Sequence, residues 1–595
     1  MTIPIISPLI SHFTYFRKQS ENKMFLLVLT YLLIGITDSI GVYMIFPIIN
    51  LSIGNNQEDN ISIFLNKLLN IFNVKLSFHS SLLLIVAIYT LKGAIVFIEG
   101  VIQAQISTDL LKKKRYEIVS KFSKMKYSFF IKHSLGYYNN IVTLEIPRVL
   151  RSFGMYCQLI STIIQISIYI CACFILNFKI TVFTILVAVI FAFIVNFISN
   201  KSKILSISIS NANSQIQQIL IQLLNFFKYI KVTSSFHFIE NLYRERVNKH
   251  TFLEFKIQLM SSIQKACTDP FIVGMMAFFL LYQVTFLSNT PVSVFVLAIF
   301  FYKTSSRISV FYLEWQKFQT AIGGPVVVDE LNKQISKNLE SNGHVLINEF
   351  KDSIKGSNIS LHIGGKQLLK NINFTIPKNH NIAIVGPSGA GKTTLADVIG
   401  GLYQPQTGSL FFDDYEIREI DKESVRKIIG YVTQEPVVFN DTVANNISFW
   451  QCSSSDNECK AHIVRASKLS YCDEFIKDLE YTYDTILGDK GVKLSVGQRQ
   501  RIAIARELFK DPQIVIFDEA TSALDTKSEQ FIQKSITQIK GSKTVILIAH
   551  RLSTIKNCDY IYVMNKGRII EEGTFDQLYS LKGSKFHEMC IMQHI

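Results

Sequence analysis

Two long stretches without a charged residue limit what this chain can fold into. Residues 152–178 and 180–200 contain no Asp, Glu, Lys or Arg, and only Lys179 separates them. A helix that spans the hydrocarbon core of a bilayer needs about 20 apolar residues, because charged groups find no water there. We therefore predict two membrane-spanning helices joined by a tight turn at Lys179.

The same test identifies four more spans. Residues 270–302 are charge-free, and the turn-forming residues 288–291 divide this stretch into a second hairpin. Two further apolar stretches carry only one or two ionisable residues: 24–51 with Asp38, and 76–105 with Lys92 and Glu99. The six expected spans account for a hydrophobic content of 48%.

Charge places the connections on the two sides of the membrane. The short connections lie near Lys179 and Asn289, whereas the long segments 106–150 and 201–265 are rich in Lys and Arg. Cytoplasmic loops of membrane proteins carry an excess of these residues, so we expect the long segments and both termini to be cytoplasmic. The formal charge of +15 then reflects these flanks, and nucleic acid is not an expected partner.

The long basic segments have helical spacing and should extend the spans into the cytoplasm. Within them we predict two short connecting helices, near residues 127–133 and 225–231, that contact another domain. Residues 51–75, on the other side, are interpreted as either a surface-lying amphipathic helix or a capped loop. The nine cysteines include no CxxC pair, and we expect them to be reduced thiols.

The composition changes near residue 325. Asn, Lys and Ser are abundant up to residue 345, and strand-like runs then alternate with helical ones. This pattern predicts three parts: a six-helix transmembrane domain over residues 1–324, a linker over 325–345, and an α/β domain over 346–595.

A glycine-rich segment in the α/β region carries the clearest chemical signal. It follows the apolar run 381–385, fits the pattern G-x-x-x-x-G-K-[ST], and consists of Gly386, Pro387, Ser388, Gly389, Ala390, Gly391, Lys392, Thr393 and Thr394. Its glycines let backbone amides and a helix N-terminus face the phosphates of ATP. We expect Lys392 to reach the β- and γ-phosphates and the Thr393 hydroxyl to bind Mg²⁺.

Two adjacent carboxylates form the second signal. The apolar run 514–517 predicts a buried strand that ends at Asp518 and Glu519. Such a strand would deliver Asp518 to the metal ion and Glu519 to a water molecule beside the γ-phosphate. Paired carboxylates on a surface are commonly only solvated, but the apolar run before them argues against that interpretation.

Between these signals lies Leu494-Ser495-Val496-Gly497-Gln498, and with it the chain resembles the ABC transporter ATPases. The resemblance rests on six elements in order: the phosphate loop, Gln434 in Tyr-Val-Thr-Gln-Glu, the signature segment 494–498, Asp518 with Glu519, Ser522 to Asp525, and His550 in Ile-Ala-His-Arg. It implies an α-helical six-span transmembrane domain plus an α/β P-loop NTPase domain of ABC type.

The resemblance also implies roles for single residues. Gln434 resembles the ligand of metal and water that senses the membrane domain, and His550 the switch that holds the γ-phosphate. The signature residues resemble donors that close over the γ-phosphate of the opposite subunit: Ser495 and Gly497, with Gln498 beside them in the nucleotide site. Asp525 resembles the residue that links the two sites across the interface.

One copy of each element cannot complete a site alone in this family, because the phosphate loop and the signature segment face different subunits. A second subunit is therefore implied. Lys392, Glu519 and His550 are all present, which favours a homodimer over a heterodimer with another half-transporter.

Two positions depart from the family pattern. Val496 stands where the signature has its first glycine, and a β-branched residue there requires a backbone with negative φ. Because Ser495 and Gly497 remain, we expect function to persist. Ile363 stands where the family has an aromatic residue that stacks on adenine, and His362 could replace it only if the strand shifts by one residue.

The membrane half resembles the exporter type of this family. Ionisable residues inside spans usually face a cavity or pair with one another, which makes Asp38, Lys92, Lys303 and Arg307 candidates for a substrate cavity. Lys92, Lys303 and Arg307 could form a cationic patch for a phosphate or pyrophosphate group. The alternative is internal pairing of Asp38 with Lys92, with the other two cations reaching the membrane surface.

These features resemble the bacterial lipid-linked oligosaccharide flippases. The expected function is ATP-driven export or flipping of an amphipathic or lipid-linked molecule in a bacterial inner membrane, with ATP and Mg²⁺ as cofactors. A peptide or multidrug exporter is the alternative within transport. A soluble ABC-type ATPase of repair or regulation is the alternative from another class, and the six spans argue against it.

Overall fold

The computed structural model of the chain describes residues 12–17, 23–44, 77–176, 178–286, 291–452, 456–520, 524–549, 551 and 554–593. It contains two compact units. The first comprises Met1–Met125 and Ile131–Leu339, and the second Lys126–Phe130 and Glu340–Ile595. The predicted outside segment 51–75 and the turn at 288–290 lie outside the described residues.

The first unit is helical. The helices are α1 (Lys23–Tyr43), α2 (Phe78–Ser123), α4 (Leu135–Asn140), α5 (Ile146–Leu176), α6 (Phe178–Asn225), α7 (Phe227–Val232), α8 (Phe236–Phe286), α9 (Pro291–Ala321) and α10 (Gly323–Lys337), while α3 (Tyr127–Phe130) belongs to the second unit. A π-helical turn, Ile141–Glu145, joins α4 to α5. Each predicted span falls on a different long helix: α1, α2, α5, α6, α8 or α9.

Some helices of this unit have the length and the apolar composition of membrane spans. Within the described part of the chain, three helical segments are long and apolar enough to cross a membrane: Lys23–Val42, Phe78–Ser123 and Leu135–Phe174. Lys179, which was expected in the turn, is the second residue of α6, and α5 ends at Leu176.

Both predicted connecting helices are present. They are α3, which ends at Phe130 and is shorter than expected, and α7. Within the second unit, the ring of Tyr127 on α3 meets that of Tyr403 edge-on, with centroids 5.7 Å apart. This short helix therefore packs with the α/β domain although its neighbours in sequence belong to the helical unit.

Local chemistry sets where two of the long helices begin. Ser77 caps α2 by accepting a hydrogen bond from the amide of Ser80, whose hydroxyl accepts one from the amide of Ser77. Pro147, at the second position of α5, has no N–H, and its ring opposes the carbonyl four residues earlier. The π-helical turn directly before α5 accommodates this defect, because a wider turn gives that carbonyl room.

The segment predicted as a linker, 325–345, is helical as far as Lys337. Val328, Leu331 and Ile335 recur at helical spacing and are all 0% exposed, and α10 packs against α5 and the π-helical turn. The high content of Asn, Lys and Ser concealed this apolar stripe: Lys333, Ser336 and Lys337 are exposed between its members, whereas Asn332 is buried with it. The second unit begins at Glu340, so only a short connection remains.

The second unit contains two sheets. Its strands are β1 (Ser353–Ile363), β2 (Lys366–Pro377), β3 (Asn381–Val385), β4 (Thr407–Phe412), β5 (Tyr415–Glu416), β6 (Ile429–Val432), β7 (Ile514–Asp518), β8 (Thr544–Ile548), β9 (Tyr560–Asn565) and β10 (Arg568–Gly573). The strand orders are β2-β1-β4-β5 and β10-β9-β3-β8-β7-β6. Its helices are α11 (Lys392–Ile399), α12 (Lys422–Ile428), α13 (Val443–Ser448), α14 (Asn457–Leu469), α15 (Asp473–Lys477), α16 (Val496–Phe509), α17 (Thr526–Ile539), α18 (Phe575–Ser580) and α19 (Lys585–Met592).

Parallel pairing in the larger sheet positions the functional loops. Strands β3, β8, β7 and β6 pair in parallel, and β3, β7 and β8 are buried along their full length. Continuous apolar strands of this kind are typical of a sheet covered on both faces. Because the strands run the same way, the loops that follow them meet at one edge of the sheet.

The cysteine prediction is wrong for one pair. Cys452 and Cys459 form a disulfide with their Cα atoms 6.1 Å apart, and the other seven cysteines are free. Cys459 lies in the first turn of α14. Their spacing does not fit the CxxC pattern, so the pairing could not be predicted from cysteine spacing.

The buried stripe of α10 makes a direct prediction. Leu331→Ala should lower the free energy of unfolding of the helical unit by about 2–5 kcal/mol, because it leaves a cavity at a fully buried site. Val326→Ala, at a position that is 39% exposed on the same helix, should have little effect. Thermal unfolding in detergent and amide hydrogen exchange over 325–337 measure this. Rapid exchange of these amides in the wild type would show a true linker instead.

Candidate functional site

The phosphate loop is shaped by glycines that no other residue could replace. It leaves β3 at Gly386, whose φ is 151° and where a Cβ atom would lie 2.1 Å from the carbonyl oxygen of Met564. Gly391 caps α11 with a φ of 101°. These positions require backbone conformations that favour glycine. The resulting turn aims the N-terminus of α11 at the loop, an arrangement that binds phosphate.

Lys392 folds back over this loop. Its Nζ donates to the carbonyls of Gly386 at 3.0 Å and Pro387 at 3.2 Å, and lies 3.8 Å from a carboxylate oxygen of Glu519. Burial lowers the pKa of Lys392, and the carboxylates of Glu519 and Asp518 oppose that shift. The ammonium group is thus held at the loop, next to the acidic end of β7.

The end of β7 contacts the phosphate-loop helix through a chain of oxygen atoms. Thr393 Oγ1 donates to Asp518 Oδ1 at 3.0 Å. The Tyr431 hydroxyl lies 3.4 Å from Asp518 Oδ2 and 3.0 Å from Asp397 Oδ1. Burial raises the pKa of Asp518, and it raises the pKa of Asp397 to about 6. Adjoining hydroxyl and carboxylate oxygens are ligands that Mg²⁺ prefers, so Thr393 and Asp518 fit this ion.

Glu519 leaves the line of its strand. Its φ is 50°, in the left-handed region, and its amide donates to the carbonyl of Ile548 at 3.0 Å. Its carboxylate accepts a hydrogen bond from Gln434 Nε2 at 2.8 Å. The amide of Gln434 therefore fixes the carboxylate of Glu519 beside Lys392, and the ends of β6, β7 and β3 come together.

The signature segment begins α16 with a reciprocal cap. Ser495 Oγ accepts from the amide of Gln498 at 3.2 Å, and Gln498 Oε1 accepts from the amide of Ser495 at 2.9 Å. Val496 is the first residue of the helix and has the negative φ that its side chain requires. Its side chain is 41% exposed. A Cβ atom on Gly497 would lie 2.2 Å from Ser528 Oγ. Only the second glycine position is therefore sterically closed.

Asp525 lies at the same place. It caps α17, where its Oδ2 accepts from the amide of Ser528 at 3.1 Å, and these hydrogen bonds hold its pKa below the usual range. Gly497 and Asp525 thus share Ser528 as a neighbour, which joins the starts of α16 and α17. Two predicted elements, His550 and residues 521–523 of the Ser522 segment, lie outside the described residues.

The adenine position has no aromatic side chain. Ile363 ends β1 and packs against the core beneath the sheet. His362 is exposed, with its amide 2.6 Å and its Nδ1 2.9 Å from Gln406 Oε1. The pairing of β1 with β2 is irregular between Leu361 and His362. A one-residue shift of the strand is what would be needed for His362 to replace Ile363 at the adenine position.

The four candidate cavity residues form one cluster among the membrane helices. Lys92 forms an ion pair with Asp38, and the hydroxyl of Tyr169 donates to the same carboxylate. Lys303 lies close enough to Asp38, and Arg307 close enough to Tyr169, to influence these groups electrostatically. The predicted internal pairing of Asp38 with Lys92 is therefore present, and Lys92 is not an unpaired member of a cationic patch.

The sequence missed several neighbours of these residues. Tyr431 links Asp518 to Asp397, Ser528 closes the space at Gly497, and Tyr169 donates to Asp38 and lies near Arg307. Tyr431 could have been identified from the sequence, because it lies on β6, the strand that leads to Gln434. Tyr169 had none, since it sits in a charge-free stretch and meets Asp38 only after folding.

Comparisons with known proteins match both parts of the chain. The ABC transporter transmembrane region matches residues 24–303, and the ABC transporter domain matches 369–522. An ATP-dependent lipid A-core flippase of Desulfotalea psychrophila is 31% identical over 526 residues, 84% of this chain and 88% of that protein. The heterocyst differentiation ATP-binding protein HepA of a Nostoc species is 29% identical over 495 residues, 82% of this chain and 81% of that protein.

A solved structure has the same fold. A bacterial Atm1-family ABC exporter with ATP bound superposes with a TM-score of 0.81 at 23% sequence identity, covering 97% of this chain and 99% of that one.

A helical membrane domain fused to a P-loop domain with this arrangement of loops defines a multi-pass membrane protein that binds and hydrolyses ATP. The chain belongs to the ABC transporter family, as an exporter-type half-transporter, and its ATP hydrolysis is coupled to transport. The family resemblance and the fold class expected from the motifs are confirmed.

The two signature positions should respond oppositely to substitution. Gly497→Ala should strongly reduce ATPase activity, because its Cβ would overlap Ser528 and displace α16 from α17. Val496→Gly should leave the activity close to that of the wild type, since this side chain is exposed. Steady-state ATP hydrolysis in detergent and in lipid measures both. A fully active Gly497→Ala variant would contradict the steric argument.

Proposed function

We propose that the chain exports or flips an amphipathic, lipid-linked molecule across a bacterial inner membrane at the expense of ATP. The observation that carries the substrate class is the charge cluster among the membrane helices, where Lys92 pairs with Asp38 and two further cations, Lys303 and Arg307, lie nearby. Charges in a membrane domain normally pair or meet a polar substrate, and among the described residues of this cluster one carboxylate faces three cations, which leaves an excess of positive charge. Relatives named ATP-dependent lipid A-core flippases support this class.

The nucleotide site supplies the driving reaction in this proposal. The phosphate loop and Lys392 bind the phosphates, and Glu519 accepts a proton from the attacking water. Thr393, Asp518 and Gln434 are the residues that would hold Mg²⁺, which neutralises phosphate charge when bound. The contact between Gln434 and Glu519 supports these roles, because it orients the base at the loop. His550 holds the γ-phosphate by analogy with the family.

A second subunit completes each nucleotide site in this proposal. The start of α16 supports it, because Ser495, Val496 and Gln498 are accessible there and able to face a ligand from another chain. Gly497 and Asp525 keep that helix start in place through Ser528. We favour a homodimer with two working sites, with a heterodimer as the alternative. The excess of Lys and Arg in the long connections supports a cytoplasmic location for both termini.

The charge cluster suggests which part of the substrate enters the membrane domain. Lys92 is neutralised by Asp38, which leaves Lys303 and Arg307 as the excess positive charge. These two residues lie four apart on α9 and share a helix face. They suit a phosphate or pyrophosphate headgroup, whose acyl or isoprenoid chain would remain in the bilayer.

Glu519→Gln tests the catalytic role. The variant should bind Mg-ATP but hydrolyse it at least about 100-fold more slowly, the loss typical when a general base is removed. Glu435→Gln is the matched control, because Glu435 is exposed on the same loop as Gln434 and its side chain does not contact the site in the described residues. ATP binding and turnover are measured together. Unchanged turnover of Glu519→Gln would remove this residue as the base.

Lys303→Ala and Arg307→Ala test the substrate class. In reconstituted vesicles, lipid-linked sugars with a phosphate or pyrophosphate should stimulate the wild-type ATPase, and each substitution should abolish most of that stimulation. Lys317→Ala, on the same helix but half exposed and paired with Glu314, should behave as the wild type. Stimulation by peptides or uncharged drugs, unaffected by these substitutions, would favour the peptide or multidrug exporter instead.

A further inference from the structure

Arg148, in the first turn of α5, joins four parts of the helical unit with one side chain. Its guanidinium donates to Glu145 Oε2 at 3.0 Å in the π-helical turn and to Ser206 Oγ at 2.8 Å on α6. It also donates to Ser210 on α6 and, at 3.2 Å, to the carbonyl of Thr320 on α9. These contacts link α5, α6, α9 and the π-helical turn.

At the centre of these contacts is the buried ion pair of Arg148 with Glu145, which we call the hub. Most of the polar atoms of this pair have hydrogen-bond partners within the protein. The side chain of Glu145 is 0% exposed and that of Arg148 is 14% exposed. Burying an ion pair costs several kcal/mol per ion unless additional hydrogen bonds satisfy it. Asn140 donates to Glu145 at 3.3 Å, and Ser206 donates to the carbonyl of Thr320. Only the planar fork of arginine offers enough donors in this arrangement, so lysine could not replace it.

The backbone around the hub leaves no space for adjustment. A Cβ atom on Gly324 would lie 2.6 Å from Arg148 Cβ, and one on Gly323 would lie 2.7 Å from Ser206 Oγ. Both glycines open α10, so that helix also rests on the hub. In sequence, α10 leads through a short connection to the α/β unit that begins at Glu340.

We propose that Arg148 is a positioning residue for coupling: it clamps α5, α6, α9 and α10 into one rigid body that passes the movement of the ATPase domain to the membrane helices. This inference rests on the proposed ATP-driven transport. A continuous rigid element is needed because loosely packed helices would absorb a displacement applied at the end of α10. The hub lies far along the chain from the phosphate loop and takes no part in hydrolysis.

Two variants separate coupling from folding. Arg148→Met removes the clamp but leaves Glu145 buried and unpaired, which should destabilise the unit. The double variant Glu145→Met with Arg148→Met removes both charges, and apolar side chains of similar volume should restore stability without restoring the contacts to α6 and α9. Arg151→Met, at an exposed position on the same helix, is the control.

The readout is the amount of lipid moved per ATP hydrolysed in vesicles, using the phosphate-bearing lipid that stimulates the wild type. We expect the double variant to hydrolyse ATP while lipid moved per ATP falls by about tenfold, within the range typical of coupling between two sites. Arg151→Met should match the wild type. Normal transport by a stable double variant, or a loss of transport in strict proportion to ATPase activity, would overturn the proposal.

Spin labels make the test independent of the substrate. Labels at Phe174, at the end of α5, and at Tyr481, in the ATPase unit, are both on exposed sites. In the wild type, ATP should change the label separation between two subunits at both positions. In the double variant only the Tyr481 separation should change; a normal change at Phe174 would overturn the clamp. A wild type that moves no lipid would contradict the proposed function, and the labels would still decide on Arg148.

Discussion

The nucleotide site depends on the parallel register of four buried strands. Ile384 of β3 and Asp518 of β7 both lie opposite Ile548 of β8, and Val432 of β6 lies opposite Phe517. This register brings the phosphate loop, Gln434 and Glu519 to one edge of the sheet. A slip of one residue along β7 would move Asp518 and Glu519 out of line with the phosphate loop, so the site geometry depends on this register. The hydrogen bonds of Thr393 and Gln434 then refine positions that packing has already set.

In the helical unit, buried charged residues, and not apolar strands, form the key contacts. Its two buried clusters, around Asp38 and around Arg148, place ions where each would be costly alone. The cluster at Arg148 is nearly saturated by hydrogen bonds within the protein, which suits a permanent structural joint. In the part of the chain that the structure describes, the cluster at Asp38 has more cations than carboxylates, which suits a site that receives an anionic group. The balance of charge thus distinguishes a structural contact at Arg148 from a candidate binding site at Asp38.

Much of this arrangement could be predicted because it rests on local patterns. Charge-free length identified the helices that carry the spans, and spacing of glycine, lysine and carboxylates identified the phosphate loop and the end of β7. What failed depends on contacts between distant segments or on averaged composition. The stripe of Val328, Leu331 and Ile335 was hidden among polar residues, and Cys452 meets Cys459 only after the chain turns. Arg148 looked like one more basic residue beside a span.

Transport of a phosphate-bearing lipid, counted against ATP, tests the account most directly. Purified protein in sealed vesicles would be given a fluorescent lipid-linked sugar phosphate, and lipid moved between leaflets would be measured together with ATP hydrolysed. Lipid should move between leaflets only with Mg-ATP, in a fixed ratio to hydrolysis. Steady hydrolysis without movement of any phosphate-bearing lipid, or equal movement without ATP, would contradict it.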